Sequence, residues 1–248
     1  MEKKYKLTEE TTNVYGRILH RIEALKDFGN VKKGDKGGYV EDEENLSQSG
    51  DCWVYGGAMV YGNTEVYGNA KICGDAMVYG NAEVYENAVI GGDAKVFEDA
   101  RIYGNAKICG DAMVYGNAEV YDKAIVCGDT MVYGNAKVYG SAEVFGKAKV
   151  SDNAEVFGNA KICGDAMVYG NAEVYDKAIV CVDTMVYGNA EVYGSAEVFG
   201  KAEVYDDAKV FEDARIYGNA KICGDAKVYG KAEFSDNTIV RGDAVVCG

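Results

Sequence analysis

Residues 66–71 read VYGNAK, and the chain from Val54 to Val246 is made by repeating that hexad. A valine or isoleucine falls on every sixth position of this stretch, with Phe234 as the one exception. The residue four places after each is alanine, except for four threonines at Thr64, Thr130, Thr184 and Thr238. One short unit therefore sets the structure of most of the chain.

A period of six excludes an amphipathic helix, whose apolar residues recur three and four positions apart. The segment A-K-V-Y alternates small, polar, branched and aromatic side chains, which is typical of a strand with one face inward. Glycine and asparagine adopt left-handed backbone angles at little cost, so each G-N pair is expected to turn a corner. Three strands and three corners then form one coil of 18 residues. Residue i therefore lies beside residue i+18 of the next coil. We predict an all-β, single-stranded, triangular parallel β-helix of about eleven coils over residues 46–248.

The N-terminal segment is predicted to cap this column. Residues 5–25, YKLTEETTNVYGRILHRIEAL, alternate apolar and polar side chains around NVYGR, which indicates a β-hairpin. We assign residues 1–45 to the cap, because an uncovered first coil would expose strand-edge hydrogen bonds.

The other end of the sequence has no matching cap. Residues 241–248, RGDAVVCG, stop on the repeat. This end pairs with another copy, is covered by something outside this sequence, or frays. The inward residues of the last coil are a candidate interface: Phe234, Val240 and Val246.

The pattern V-x-G-N-A-x resembles the hexapeptide repeat of left-handed β-helix proteins, although the glycine stands one place later than in their acyltransferases. Residues 31–56, VKKGDKGGYVEDEENLSQSGDCWVYG, also resemble the N-terminal segment of YdcK-like hexapeptide-repeat proteins. The resemblance implies a left-handed β-helix, and a source among bacteria, prophages or phages, where such proteins are common.

Of the three outward faces, the first carries a strip of methionine and tyrosine, here called the Met/Tyr face. Its residues are Met59, Met77, Met113, Met131, Met167, Met185, Tyr61, Tyr79, Tyr115, Tyr133, Tyr169 and Tyr187. A strip of this length is more apolar surface than monomers usually expose, so it predicts self-association. The alternative is that the rungs stabilise neighbouring coils and stay solvated. Lys95 and Lys149 interrupt the strip.

The second face combines glutamate and tyrosine, and the third mixes lysine with cysteine. Two cysteine pairs stack on the third face, Cys109 with Cys127 and Cys163 with Cys181. Their parallel Cβ vectors disfavour a disulfide, so we expect free thiols, and no metal site without a nearby histidine. The corner aspartates could suggest calcium, but we interpret them as turn residues chosen for their backbone angles.

The net charge of the chain limits the classes of molecule that it is expected to bind. With 26 basic and 40 acidic side chains, the net charge of −14 repels nucleic acid and anionic membranes. No apolar run approaches the length of a spanning helix. Eight cysteines in a long, repetitive chain are not a secreted disulfide framework, so we expect a reduced, cytoplasmic protein.

Catalysis is not expected, and neither is a cofactor. Hexapeptide acyltransferases use a histidine base on the helix wall, whereas the single histidine here, His20, lies in the predicted cap. We therefore predict a non-catalytic scaffold or binding protein that self-associates or binds a protein partner. The alternatives are an acidic decoy of a host defence or nucleic-acid-binding protein, which a phage origin would suit, and an acyltransferase.

Overall fold

The computed structural model describes residues 2–248, which form two compact units, residues 2–122 and residues 123–248. Each unit is an all-β parallel solenoid, which confirms the predicted fold class. The sole helical segment within residues 2–248 is a single 3-10 turn, Glu43–Asn45. In that part of the chain, no helix has the length and apolar character to cross a lipid bilayer.

The first unit begins with three longer strands, β1 (Tyr5–Val14), β2 (Arg17–Ala24) and β3 (Lys36–Val40). Twelve short strands follow: β4 (Trp53–Val54), β5 (Met59–Val60), β6 (Glu65–Val66), β7 (Lys71–Ile72), β8 (Met77–Val78), β9 (Glu83–Val84), β10 (Val89–Ile90), β11 (Lys95–Val96), β12 (Arg101–Ile102), β13 (Lys107–Cys109), β14 (Met113–Val114) and β15 (Glu119–Val120). Each pairs with the third strand along the chain, which gives three sheets and four coils.

The second unit contains twenty-one strands in three seven-stranded sheets, and therefore seven coils. The strands are β16 (Ile125–Cys127), β17 (Met131–Val132), β18 (Lys137–Val138), β19 (Glu143–Val144), β20 (Lys149–Val150), β21 (Glu155–Val156), β22 (Lys161–Cys163), β23 (Met167–Val168), β24 (Glu173–Val174), β25 (Ile179–Val182), β26 (Met185–Val186), β27 (Glu191–Val192), β28 (Glu197–Gly200), β29 (Glu203–Val204), β30 (Lys209–Val210), β31 (Arg215–Ile216), β32 (Lys221–Ile222), β33 (Lys227–Tyr229), β34 (Glu233–Phe234), β35 (Ile239–Val240) and β36 (Val245–Cys247). The coil number agrees with the sequence-based count.

The repeated valine and alanine form the core, because both point inward from every hexad. Val60, Val78 and Ala76 are fully buried, as are nearly all their equivalents. The backbone supplies the second stabilising term: Met59 N donates to Ala76 O at 2.9 Å, and Tyr61 N donates to Val78 O at 3.0 Å. Strands of two residues are stable here only because every coil pairs with its neighbours.

The corner between strands is made by the first residue of each G-N pair. Gly74 has φ +70°, and a Cβ there would lie 2.6 Å from Gly92 O in the next coil. The second residue is not left-handed, so that part of the corner prediction is wrong for asparagine. It is also wrong for the corner aspartates such as Asp75, which follow the left-handed glycine instead of replacing it.

Acidic residues replace the corner glycine at several coils, and their carboxylates explain why. Glu98 has φ +60° and accepts a hydrogen bond from Gly116 N at 2.8 Å. Asp152, also at φ +60°, accepts from Gly170 N at 3.1 Å. Each carboxylate thus satisfies a backbone donor of the next coil, which offsets the cost of the left-handed conformation.

The N-terminal strands cover the first coil as predicted. β1 pairs with β2 as an antiparallel hairpin, β2 pairs antiparallel with β3, and β3 pairs parallel with β5. Trp53 packs against Tyr5 and Phe28, with ring centroids 6.1 and 5.3 Å away. Asn45 Nδ2 donates to Gly62 O at 2.8 Å, so the cap also satisfies acceptors of the first coil.

Candidate functional site

In the first unit, the Met/Tyr face is a ladder of side chains packed on one another. Met59 lies in register with Met77, and Lys95 separates Met77 from Met113. The rings beside them stack at 4.8–5.0 Å along one row, Tyr61, Tyr79, Phe97 and Tyr115. Burial raises the pKa of Tyr61 to about 12.

In the second unit, the same face is less continuous. Met131 and Met167 flank Lys149, and Met185 follows Met167 in register. Tyr169 stacks on Tyr187 at 4.9 Å. Across both units, eleven of the twelve predicted residues are half-buried and Tyr61 is buried, so the strip presents side-chain edges more than open apolar surface.

The second face carries the longest aromatic row. Six rings stack at 4.8–5.0 Å with interplanar angles of 8° or less: Tyr139, Phe157, Tyr175, Tyr193, Phe211 and Tyr229. The sequence analysis placed tyrosine on this face, but it did not identify Tyr193, Tyr229 or the two phenylalanines as members of the row. The signal was present, because Tyr or Phe follows the inward valine at each of these positions.

Carboxylates lie beside this aromatic row and interact with it. Tyr139 Oη donates to Glu155 at 2.9 Å, and Tyr175 Oη donates to Glu191 at 3.2 Å. Glu173 lies in register between Glu155 and Glu191. Burial, followed by the charges of these two neighbours, raises the pKa of Glu173.

Lysines neutralise both ends of this carboxylate row. Lys137 Nζ is 3.4 Å from Glu155, and Lys209 Nζ is 2.6 Å from Glu191. Within this row, the negative charge that no lysine neutralises is therefore that of Glu173.

Asparagine side chains form a third kind of ladder, along the corners, which sequence reasoning missed. Asn135, Asn153 and Asn171 are joined by amide hydrogen bonds of 2.9 and 3.0 Å. In the first unit, Asn63 Nδ2 donates to Asn81 at 3.0 Å. An amide both donates and accepts, so identical side chains stacked at the coil spacing can bond in series. This explains why asparagine recurs at a position that needs no left-handed backbone.

The third face contains a correction. Cys163 and Cys181 lie in register on β22 and β25 with Cα atoms 4.5 Å apart, and the structure joins them in a disulfide. The expectation of free thiols was therefore wrong for this pair, because the coil spacing brings the Cα atoms to the short end of the range that a disulfide spans. Cys109 and Cys127 belong to different units and are not free thiols either.

The last coil, β34–β36, is the place where the core of the second unit reaches its surface. Phe234 and Val246 occupy inward positions but are only half-buried, and Val240 is 7% exposed. The outward side chains beside them, Ile239 and Val245, are 60% and 62% exposed. The three predicted interface residues thus lie together at one end of the second unit.

The remaining polar groups do not assemble into a metal centre. Within residues 2–248, no group of three or more His, Cys, Asp or Glu side chains is placed to hold a metal ion. His20 lies in β2, in the predicted cap, with Nδ1 3.0 Å from Thr8 O.

Comparison with protein families returns one family. Residues 70–86, 106–122 and 160–176 match the model described as YdcK Beta solenoid repeat. No curated protein matches the chain. Each matched segment is a run of three strands and the corners between them, within the solenoid described above. The three matched segments are therefore similar to the YdcK β-solenoid repeat, and the structure around them is a parallel β-solenoid.

Proposed function

We propose that this protein is a non-catalytic β-solenoid scaffold that self-associates through its last coil, β34–β36. The observation that carries the proposal is the open end of the core in the second unit. Apolar side chains that are fully buried in other coils are accessible there, and two outward apolar residues border them.

Backbone hydrogen bonding in the last coil also favours this coil as the interface. In the preceding coil, Arg215 N, Lys221 N and Lys227 N each donate to a carbonyl of the last coil at 2.8–2.9 Å. Within residues 2–248, Glu233 N and Ile239 N donate no such hydrogen bond. Strand groups without a partner, beside apolar side chains, favour pairing with another chain.

A second copy presenting its own last coil is the occupant we favour. A two-fold arrangement brings the same surface of both copies together, so the apolar end groups of each are buried against the other. The first coil exposes no such apolar core, because its inward residues Val54, Val60 and Val66 are buried. The association is therefore expected to stop at a dimer instead of growing into a filament.

The Met/Tyr face is the second candidate surface for self-association. Its rings and methionines are half-buried by their own neighbours, so a partner would remove less apolar area from water per residue there. Two double variants distinguish the surfaces. The last-coil variant carries Ile239→Lys and Val245→Lys, and the Met variant carries Met167→Lys and Met185→Lys.

Sedimentation equilibrium over a hundredfold range of concentration tests the proposal. We expect the unchanged chain and the Met variant to be dimeric at the upper end, and the last-coil variant to be monomeric. A monomer throughout, or dissociation caused only by the Met variant, would contradict pairing through the last coil. Circular dichroism of both variants checks that each is still folded.

An acidic decoy of a host protein is the alternative function, and the row Glu155, Glu173 and Glu191 favours it. Regularly spaced carboxylates can attract a basic protein, although the lysines at both ends of the row reduce the charge. The decoy predicts that a basic nucleic-acid-binding protein is retained from a bacterial lysate at low salt. Retention should be lost in Glu173→Gln if this row is the binding surface.

A further inference from the structure

The amine of Lys4 and the thiol of Cys52 form a buried contact pair inside the cap. Lys4 Nζ lies 3.2 Å from Cys52 Sγ and 2.9 Å from Cys52 O. The carbonyl oxygens of Ser49 and Gly50 are each 3.4 Å from the same nitrogen. Lys4 is 1% exposed and Cys52 is fully buried. A lysine nitrogen and a cysteine sulfur are thus held within reach of each other, away from bulk water.

Burial shifts the pKa of both groups in the direction of their uncharged forms. Burial lowers the pKa of the Lys4 amine, and the neighbouring Cys52 offsets this only in part. Burial likewise raises the pKa of the Cys52 thiol, against the effect of Lys4. Lys4 makes none of the ion pairs within residues 2–248. An uncharged amine has a free electron pair and can act as a nucleophile.

A cavity of about 600 Å³ borders the pair on the Lys4 side, and its wall includes Lys4, Phe28 and Asp51, the residue before Cys52. Its volume is many times that of a single water molecule, which occupies about 30 Å³. Hydrogen peroxide is small enough to enter such a space.

We infer that Lys4 and Cys52 form a site of oxidative modification, at which peroxide links the two side chains through a nitrogen–sulfur bond. In the first step, the Cys52 sulfur attacks one peroxide oxygen, the O–O bond breaks, and the products are a sulfenic acid and water. In the second step, the Lys4 nitrogen attacks that sulfur, the S–O bond breaks, and a second water leaves with one amine proton. One peroxide is reduced, and the thiol sulfur is oxidised by two electrons.

The link would fasten the cap to the first coil. Lys4 immediately precedes β1, and Cys52 immediately precedes β4. The two residues are 48 positions apart, so the bond closes a loop that contains the whole of β1–β3. Closing a loop of this kind restricts the unfolded chain and stabilises the folded state. A thiol reductant cleaves the bond, which makes the fastening reversible.

Peptide mass spectrometry on the full chain tests the inference. The protein is reduced, freed of reductant, treated with increasing hydrogen peroxide, alkylated and digested without reductant. We expect a cross-linked peptide pair containing Lys4 and Cys52, two hydrogen atoms lighter than the sum of the reduced peptides. It should disappear after treatment with dithiothreitol. The oxidised protein should also unfold several degrees higher than oxidised Cys52→Ser, which keeps the Cys163–Cys181 disulfide.

Cys73 is the internal control. It is a free, half-buried cysteine whose Sγ donates to Ile90 O at 3.4 Å instead of contacting a lysine. We expect Cys73 to yield oxidised or dimedone-labelled thiol without a cross-link. Recovery of Cys52 as an unmodified thiol, or as a sulfinic acid with Lys4 unlinked, at peroxide levels that convert Cys73 would overturn the inference.

Two variants locate the chemistry. Cys52→Ser should abolish the cross-link, and Lys4→Arg should leave a sulfenic acid at Cys52 that dimedone can trap. If either variant does not fold, the measurement on the unchanged chain still decides, because it reports the bond directly. A cross-link that persists in Lys4→Arg would show that another amine is involved, and would contradict the assignment.

Discussion

At the scale of single residues, the left-handed backbone of the corner position determines which residue types stabilise the coil and which destabilise it. Glycine adopts it freely, and an acidic residue gains a hydrogen bond to the next coil. Val182 has neither advantage: its φ is +72°, its side chain is 50% exposed, and its Cβ is branched. Gly128 occupies the equivalent position in the earlier copy of the same segment.

We predict that Val182→Gly stabilises the protein by about 1 kcal/mol, because a branched residue in the left-handed region is strained. The reverse change, Gly128→Val, should destabilise by at least as much, since a Cβ there would lie 2.7 Å from Gly146 O. Urea unfolding of the two variants measures both effects. A loss of stability in Val182→Gly would show that the valine side chain contributes packing that outweighs its backbone strain.

Two buried threonines in equivalent positions differ in whether the side-chain hydroxyl is hydrogen-bonded. Thr130 and Thr184 are both fully buried and occupy equivalent positions in two nearly identical segments. Thr184 Oγ1 donates to Cys181 O at 2.7 Å, whereas Thr130 Oγ1 has no hydrogen-bond partner.

Thr184→Ala should therefore cost about 1 kcal/mol more than Thr130→Ala, because only the first change removes a satisfied hydrogen bond. The lost methyl group is common to both and cancels in the comparison. Thermal unfolding of the two variants gives the difference directly. Equal effects would mean that the Thr130 hydroxyl is satisfied in solution.

At the scale of the elements, ladders of side chains stabilise the contact between coils, which strands of two residues hold only weakly by themselves. Rows of stacked rings and bonded amides connect each coil to the next, and each cross-strand pair contributes roughly 0.2–1 kcal/mol. The same stacking becomes unfavourable where like charges are neighbours, as at Glu173.

We predict that Glu173→Gln raises the melting temperature at neutral pH. The folded-state pKa of Glu173 is raised, so its stabilising contribution is present below the unfolded-state pKa and is lost as the pH rises through the folded-state value. The benefit of the amide should thus be greatest at neutral pH and vanish below about pH 4, where the carboxyl is protonated in both states. Calorimetry across this pH range measures it.

Glu143→Gln is the control for this prediction. Glu143 lies next to Lys161, with Nζ 3.3 Å from a carboxylate oxygen, and has no carboxylate in register beside it. Its replacement removes a favourable exposed pair and should lower stability by up to about 0.5 kcal/mol. If both variants were stabilised alike, relief of net negative charge would explain the result better than the local row.

At the scale of the whole molecule, the hexad is the unit that can be added or removed. Residues 93–112 recur at 207–226, and this offset is a whole number of hexads but not of coils. The core tolerates such a shift because every face has the same inward valine and alanine.

Deleting the hexad 201–206 should therefore leave a folded protein with the same β-sheet circular dichroism and a cooperative transition. Deleting four residues, 201–204, moves the following valines out of phase with the core and should lower the melting temperature by roughly 10 °C or more. Thermal melts of both deletions provide the measurement. Similar melting temperatures would contradict the view that the hexad phase holds the second unit together.

The sequence alone determined the period, the inward residues, the coil number and the hairpin cap. It could do so because valine and alanine recur at a spacing that only a three-sided coil can bury, whichever face a hexad occupies. The tertiary structure decided what the outward side chains do. The disulfide of Cys163 and Cys181, the amide ladders and the burial of the Met/Tyr face depend on how closely neighbouring coils approach. The pairing of Lys4 with Cys52 depends on how the cap folds back onto the first coil. These contacts join residues far apart in the chain, and a local pattern does not encode the distance between them.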